Sequence, residues 1–318
     1  MPIGTDIQLA AEALRAGMLV AIPTETVYGL AANALDDTAV AEIFRVKNRP
    51  HFDPLIVHGH SADQLFGYAS EIPDAARKLA ETFWPGPLTL LLRRTPTIPD
   101  LVTAGGPLVG LRVPKHPLTL ALLREIPFPL AAPSANPFGY VSPTTAQHVE
   151  DQLGHAVAYI LDGGSCDVGV ESTIIGWPGG RATVYRKGGL PIEEIEQITG
   201  PLEVREHSSS QPEAPGMLRQ HYSPGKRILL GDIRTMIETL GADPHTAILS
   251  FAEAYRTPYS WDYVLAPDGK PETAARNLFA ALRSMDRPEI DLILAELLPD
   301  TGLGRAINDR LRRAAANE

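Results

Sequence analysis

With 318 residues, 44% of them hydrophobic, and a formal charge of −10, the chain can bury a full core and favours two domains over one. The acidic balance argues against general nucleic-acid binding, which needs a basic surface facing the phosphates. No apolar run approaches the roughly 20 residues that span a bilayer, and Met1 to Ile7 lacks the basic start and apolar core of an export signal. The single cysteine, Cys166, excludes an intramolecular disulfide framework and a cysteine-cluster metal site; it reads as a buried or incidental thiol rather than a nucleophile. The expectation is a cytoplasmic protein with no membrane partner.

In chain order, Asp6 to Ala16 reads as a helix with Ile7, Ala10, Ala13 and Leu14 inside, stopped by Gly17. Strand Met18 to Ile22 follows and ends in Pro23-Thr24-Glu25-Thr26-Val27-Tyr28-Gly29-Leu30. A hydroxyl-rich turn opened by proline presents several small polar groups from one short loop, which suits a compact polar ligand. Tyr28 either stacks on such a ligand or packs. Asp36 or Asp37 caps a helix through Val46, leaving Lys47 and Arg49 beside Pro50 in a loop, with side chains free to reach phosphate oxygens.

Asp74 to Phe83 reads as a helix and Leu88 to Leu92 as a buried strand. Val109 to Val113, Leu130 to Ala132, Tyr159 to Leu161, Ser172 to Gly176 and Thr183 to Arg186 also read as strands. Arg112, alternating with Leu111 and Val113, is either buried and paired or facing a site. The loop 132–137 joins prolines to small residues, so a planar ring or a phosphate can approach its backbone. Ser142-Pro143 reads as an N-cap with proline in the first turn of a helix toward Leu153. Lys47, Arg49, Arg112, Lys115, Arg186 and Lys187 lie at strand or loop ends, where they gather around a small anion or scatter as solvated charges.

Residues 1–200 thus form an α/β domain. Between Pro201 and Pro224 the periodicity disappears, and His207 to Pro212 has linker composition, so 201–225 is assigned as a linker or lid. From Arg227 a compact βα pattern begins: strand Arg227 to Leu230, helix Ile233 to Leu240, strands Ala247 to Ser250 and Tyr263 to Ala266, helix Glu272 to Met285, strand Leu292 to Leu297 and helix Leu303 to Ala315. Residues 226–318 read as a small open sheet with helices on its faces. Gly302-Leu303-Gly304 lacks the full dinucleotide fingerprint and reads as a helix start. No Gly-Lys-Ser/Thr phosphate loop, paired metal-spaced histidines or Gly-x-Ser-x-Gly elbow is present, which disfavours P-loop, zinc and acyl-hydrolase chemistry.

Several segments carry a resemblance together: the Pro23 to Leu30 loop, Lys47-Asn48-Arg49-Pro50 with Pro54-Leu55-Ile56-Val57-His58, Trp84-Pro85-Gly86-Pro87-Leu88-Thr89, Leu111-Arg112-Val113-Pro114, Ala132-Pro133-Ser134-Ala135-Asn136 and Glu171-Ser172-Thr173. In this order they resemble the YrdC-like family in its two-domain form, densely over the first two-thirds of the chain and more thinly beyond. The resemblance implies a YrdC-like twisted mixed-sheet domain followed by a small Rossmann-like α/β domain. It implies ATP-dependent synthesis of L-threonylcarbamoyl-AMP and pyrophosphate from L-threonine, bicarbonate and ATP, with Mg2+ accompanying the ATP. The product would pass to a separate transferase that modifies an adenosine in tRNA, without stable nucleic-acid binding by this chain.

By the same resemblance Lys47 and Arg49 are catalytic. Thr26, His58, Arg112, Ala132 (through its backbone) and Ser172 contact threonine, while Arg49, Asp53, Ser134, Ser142, Arg186 and Tyr222 contact ATP. His58 by itself reads equally as a structural histidine. Asp53 departs from the family pattern and either holds magnesium or faces solvent, the second being the expectation. Leu108 stands where the family often has a hydroxyl residue contacting ATP. Two rival readings are a non-catalytic RNA-binding or ribosome-assembly module and a carbamoyltransferase acting through a carbamoyl adenylate. The acidic balance weighs against the first, and the lack of acylphosphatase-like or zinc-finger segments against the second.

Overall fold

The computed structural model describes residues 3–205, 212–217, 222–241, 243–255 and 260–316. The chain separates into two units, one comprising Met1–Phe138, Ser142–Asp167 and Glu171–Leu218, the other Gly139–Val141, Val168–Val170 and Arg219–Glu318. Two short excursions of the first two hundred residues therefore belong to the second unit.

The strands of the first unit are β1 (Ile3–Gly4), β2 (Val20–Ile22), β3 (Gly29–Asn33), β4 (Ile56–His58), β5 (Ala69–Glu71) and β6 (Leu88–Arg94). They continue with β7 (Leu108–Arg112), β8 (Leu130–Ala131), β9 (Tyr159–Leu161), β10 (Thr173–Gly176), β11 (Thr183–Arg186) and β12 (Glu203–Val204). They form one mixed sheet in the order β1-β9-β2-β3-β8-β4-β7-β6-β10-β11-β12, with β5 paired to β6. The pairing is antiparallel between β2 and β3 and parallel between β4 and β7, where His58 stands opposite Arg112. Its helices are α1 (Ile7–Arg15), α2 (Asp37–Lys47), α3 (Ala62–Phe66), α4 (Asp74–Phe83), α5 (Pro117–Glu125), α6 (Ala146–Leu153) and α7 (Ile192–Thr199).

Alternation along the strands sends successive side chains to opposite faces. Ala21 joins a large core with Val40, Ile43 and Phe44 of α2 and Leu79 of α4, whereas its neighbours Val20 and Ile22 join a second core with Ala10, Leu14, Leu122 and Leu123 of α1 and α5. A third cluster contains Ile56, Leu91, Ile174 and Tyr185, and here the cover is Ala214 and Met217. Residues 212–217 therefore lie as a strap on the sheet, where Ala214 is fully buried and Met217 nearly so. His207 to Gln211 and His221 lie outside the described residues.

Two local expectations change. The Asp36 side chain caps α2 by accepting from the Thr38 and Ala39 amides at 2.9 and 3.2 Å, so the helix carries Lys47 as its last residue and turns at Asn48 with φ of 52°. Helix α6 starts at Ala146, not at Ser142. Thr145 is its N-cap, accepting from the His148 amide at 3.2 Å, because the Pro143 carbonyl is engaged by the Tyr28 amide at 2.9 Å and keeps the preceding segment extended.

In the second unit β13 (Arg227–Leu230), β14 (Thr246–Ser250), β15 (Ser260–Val264) and β16 (Leu292–Ala295) form an all-parallel sheet in the order β13-β16-β14-β15. Helices α8 (Ile233–Leu240), α9 (Pro271–Ser284) and α10 (Leu303–Ala314) connect and follow the strands. Among the described residues no helix is long and apolar enough to cross a membrane.

Candidate active site

The loop after β2 folds on its own hydroxyls. Thr24 Oγ1 donates to the Val27 carbonyl at 2.7 Å, accepts from the Thr26 and Val27 amides at 3.1 and 3.2 Å, and lies 2.8 Å from Thr26 Oγ1. This turn aims Thr26 at the end of β7, where Arg112 donates to Thr26 Oγ1 at 2.9 Å. Tyr28 packs rather than stacks: it is fully buried, and its hydroxyl donates to the Gly164 carbonyl at 2.7 Å.

Arg112 is buried and paired. Its guanidinium donates to Glu25 Oε1 at 2.8 Å, both side chains being 5% exposed, and to the Gly86 carbonyl at 3.3 Å. Glu25 Oε2 accepts from the Lys115 amide at 2.9 Å, so the loop carboxylate is held from two sides. Beside Arg112, His58 is buried, with Nδ1 3.2 Å from the Ile56 carbonyl. Burial, reinforced by the Arg112 charge, pushes its pKa from the usual range down to about 3, so it is a neutral imidazole at ordinary pH.

Lys47 ends α2, and Arg49 and Asp53 occupy the turn that follows. Lys47 is almost wholly buried, and its ammonium donates to the Ser134 carbonyl at 2.5 Å and to the Asn136 carbonyl. It is not a loop cation free to reach out: as the last residue of a helix it points inward and pins loop 134–136. Burial, with the Arg49 charge adding to it, holds its pKa well below the usual lysine range. Arg49 donates to the carbonyls of Asp53 and Pro54 at 3.1 and 2.8 Å and lies 2.9 Å from Asp53 Oδ2. Asp53 does not face solvent, being 0% exposed. The carboxylate folds inward against Arg49, yet neither oxygen accepts a well-formed hydrogen bond. Burial raises its pKa against the opposing pull of Arg49, Lys47 and Arg186.

At the other end of the site Ser172 Oγ lies 2.8 Å from Thr89 Oγ1 and accepts from Arg186 at 3.0 Å. Arg186 also donates to the Ser172 carbonyl at 3.0 Å and to the Pro215 carbonyl of the strap at 3.3 Å. Ser142, fully buried, donates to Glu171 Oε1 at 2.6 Å. Ala132 gives its amide to Ile56, and Ser134, half-buried, bridges to Gly29. A cavity of about 460 Å³ is lined by Phe52, by 103–108, which includes Leu108, and by Pro212 and Glu213 of the strap.

The first unit thus brings together Thr26, His58 and Arg112, the Lys47–Arg49–Asp53 turn with loop 132–136, and Ser142, Ser172 and Arg186. Tyr222 belongs to the second unit, 1% exposed, stacked at 5.5 Å on Phe279 with the Arg310 guanidinium 5.1 Å from its ring. Sequence reasoning assigned no role to Glu25, Glu171 or Thr89. Their positions inside motifs of hydroxyls and glycines were the available signal, since a carboxylate flanked by Thr24 and Thr26 has few ways to be buried except against a cation. Cys166 is buried, and its burial raises the thiol pKa. Among the described residues no group of three His, Cys, Asp or Glu is arranged to hold a metal ion.

A family model described as telomere recombination, covering the Sua5, YciO and YrdC proteins, matches residues 12–188, and one described as threonylcarbamoyl-AMP synthase, C-terminal domain, matches residues 190–316. The chain is 43% identical to the threonylcarbamoyl-AMP synthase of Pyrococcus abyssi, over 97% of this chain and 94% of that one. It is 42% identical to the threonylcarbamoyl-AMP synthase of Bacillus subtilis, over 98% and 93% respectively. The crystal structure of P. abyssi Sua5 complexed with L-threonine superposes with a TM-score of 0.92 at 40% identity, covering 99% of this chain and 98% of that one.

Proposed function

This chain belongs to the Sua5, YciO and YrdC family, in the two-domain form whose relatives are named threonylcarbamoyl-AMP synthases, and we infer that it is an enzyme that makes threonylcarbamoyl-AMP. Threonine is the amino-acid substrate, as the threonine complex of the P. abyssi relative supports, and ATP and bicarbonate are the proposed co-substrates. The amine of threonine, deprotonated, attacks bicarbonate; water leaves and a carbamate remains. A carbamate oxygen then attacks the α-phosphorus of ATP, the α–β phosphoanhydride bond breaks, and pyrophosphate leaves.

One observation carries this reading best: Arg186, an expected nucleotide contact, hydrogen-bonds Ser172, an expected threonine contact, at 3.0 Å. On this reading the two proposed half-sites are neighbours, as an attack by one substrate on the other requires. Thr26, Arg112 and Ser172 are proposed to take threonine, with Arg112 facing its carboxylate, neutral His58 beside it and the Ala132 backbone completing the pocket. Arg49, Asp53, Ser134, Ser142 and Arg186 are proposed to take ATP, while Lys47 holds loop 134–136 to the nucleotide side. The 460 Å³ cavity, whose walls include Phe52, Pro107, Leu108 and Pro212, suits a planar base. Leu108 offers it apolar contact and its backbone in place of a hydroxyl.

Buried cations stabilise the charge that develops on the α-phosphate and on departing pyrophosphate without reorganising. The donor set does not fit a protein-built magnesium site. Glu25 faces Arg112, Glu171 faces Ser142, and Asp53 lies among three cations. Magnesium is proposed to arrive with ATP, held by phosphate oxygens and water. The product is proposed to pass to a separate transferase that modifies tRNA.

Pyrophosphate release measured with threonine and bicarbonate each supplied or omitted, and the nucleotide product weighed by mass spectrometry, tests the reading. Release that needs both, with a threonylcarbamoyl-AMP mass, supports it. Release driven by carbamoyl phosphate, or salt-sensitive RNA binding without turnover, overturns it.

A further inference from the structure

Each excursion of the chain into the second unit ends one residue before a member of the same hydrogen-bonded pair. Gly139–Val141 precedes Ser142, and Val168–Val170 precedes Glu171 and Ser172. Ser142 and Glu171 then meet at 2.6 Å in the first unit.

Within the second unit both excursions are gripped by α9 and the residues that follow it. The Val141 carbonyl accepts from Arg283 at 2.5 Å, and the same guanidinium lies 5.1 Å from the Tyr140 ring. The Tyr140 hydroxyl donates to Asp286 at 2.5 Å, and the Gly139 carbonyl accepts from the Ser223 amide at 3.0 Å. At the second excursion the contact is backbone against backbone. Gly169 has φ of +77°, and a Cβ there would lie 2.4 Å from Arg276 Cα and 2.5 Å from the Ala275 carbonyl oxygen. Only glycine meets both the left-handed conformation and the close approach. One rigid helix of 14 residues thus fixes the starting points of two separate loops.

We propose that α9 of the second unit is a positioning element for the substrate site, setting Ser142, Glu171 and Ser172 in register through Arg283 and Gly169. This rests on the reading of Ser142 and Ser172 as substrate contacts. The second unit then contributes to catalysis through backbone placement, with no ligand of its own required. Precision is what such placement supplies: a displacement of about 1 Å in a substrate-positioning group lowers the rate about a hundredfold.

The test uses the full chain and follows threonine-dependent pyrophosphate release, with kcat and both KM values, alongside urea unfolding. Arg283→Ala should lower kcat about ten- to a hundredfold in protein that remains folded, and Arg283→Lys, which keeps a donor for the Val141 carbonyl, should recover most of it. Arg287→Ala, which removes a guanidinium stacked 4.9 Å from Trp261 just beyond α9, should retain wild-type kinetics. Gly169→Ala should repeat the kcat loss; if it fails to fold, the Arg283 pair decides alone. A folded Arg283→Ala protein with wild-type kcat overturns the proposal, as does a kcat loss that Arg283→Lys does not relieve. Ser142→Ala, measured in parallel, separates the two levels. An impaired Ser142→Ala beside an unimpaired Arg283→Ala refutes only the positioning role, whereas wild-type kinetics for Ser142→Ala refutes the site reading beneath it.

Discussion

Replacing Glu25 by Gln removes the charge that faces Arg112 while keeping the side chain's shape. The pair is buried on both sides, 5% exposed at each partner and 2.8 Å apart. Arg112 would be left with neutral acceptors alone: Thr26 Oγ1, the Gly86 carbonyl and the introduced amide oxygen. Removing one member of a buried ion pair costs about 3–5 kcal/mol, because the surviving charge remains desolvated. At the lower figure, and at about 2–4 °C per kcal/mol for a domain of roughly 200 residues, Tm should fall by about 6–12 °C. Differential scanning calorimetry of the wild type and Glu25→Gln, each without and with threonine, measures this. Threonine carries a carboxylate of its own, so it should stabilise the variant more than the wild type; saturation at about 100 times Kd is worth about 2.7 kcal/mol. A loss under about 1 kcal/mol would refute the claim that Arg112 depends on Glu25. A threonine-induced shift smaller in the variant than in the wild type would refute the pairing of Arg112 with the substrate carboxylate.

Two further outcomes are expected. His58 is depressed to about 3 by burial and the Arg112 charge, so between pH 6.5 and 3 the unfolded chain binds a proton that the folded chain refuses. Its contribution to stability is complete above pH 6.5 and is lost as pH falls toward 3, at up to about 1.4 kcal/mol per pH unit. The stability difference between about pH 7 and about pH 4.5, taken from urea titrations, should therefore shrink by roughly 2–3 kcal/mol in His58→Asn; an unchanged difference would assign the titration to other groups. Asp53→Asn removes the carboxylate 2.9 Å from Arg49 and should raise KM for ATP about fivefold, equivalent to about 1 kcal/mol, with KM for threonine unchanged. A lower KM for ATP would mean that the carboxylate opposes the nucleotide and would refute its place among the ATP contacts.

Elements with a strong internal period were legible in the sequence. The Asp36 cap, the β6 run of leucines, β11 and most of the alternating strands and helices of the second unit read through because their local pattern and their tertiary burial agree, whereas β15 runs Ser260–Val264 and not from Tyr263 to Ala266. At the two ends of the sheet, β1 and β12, of two residues each, carry no period of their own and are defined by the pairing with β9 and β11. The α6 start was misplaced because Ser142-Pro143 and Thr145 are both plausible caps, and what decides between them is a bond from the distant Tyr28 amide. The segments that meet in the candidate site were legible as a set of motifs, but the direction of their charges was not. That Lys47 points inward, that Asp53 folds against Arg49 and that Glu25 neutralises Arg112 depend on contacts made across as many as 89 positions of the chain. A single sequence does not display such pairings.

The interleaved strand order has a consequence for biogenesis. Among the described residues strand β1 pairs only with β9, Ile3 standing opposite Ile160. A ribosome adding about 5–20 residues per second needs roughly 8–30 s to make the intervening stretch. Through that interval the nascent chain carries an unmatched edge, and the central strands emerge before the neighbours that flank them. Non-local pairing of this kind slows folding and exposes apolar surface to other chains. The wait for β9 is set by the rate of synthesis, so a slower ribosome lengthens the interval in which that apolar edge stands uncovered.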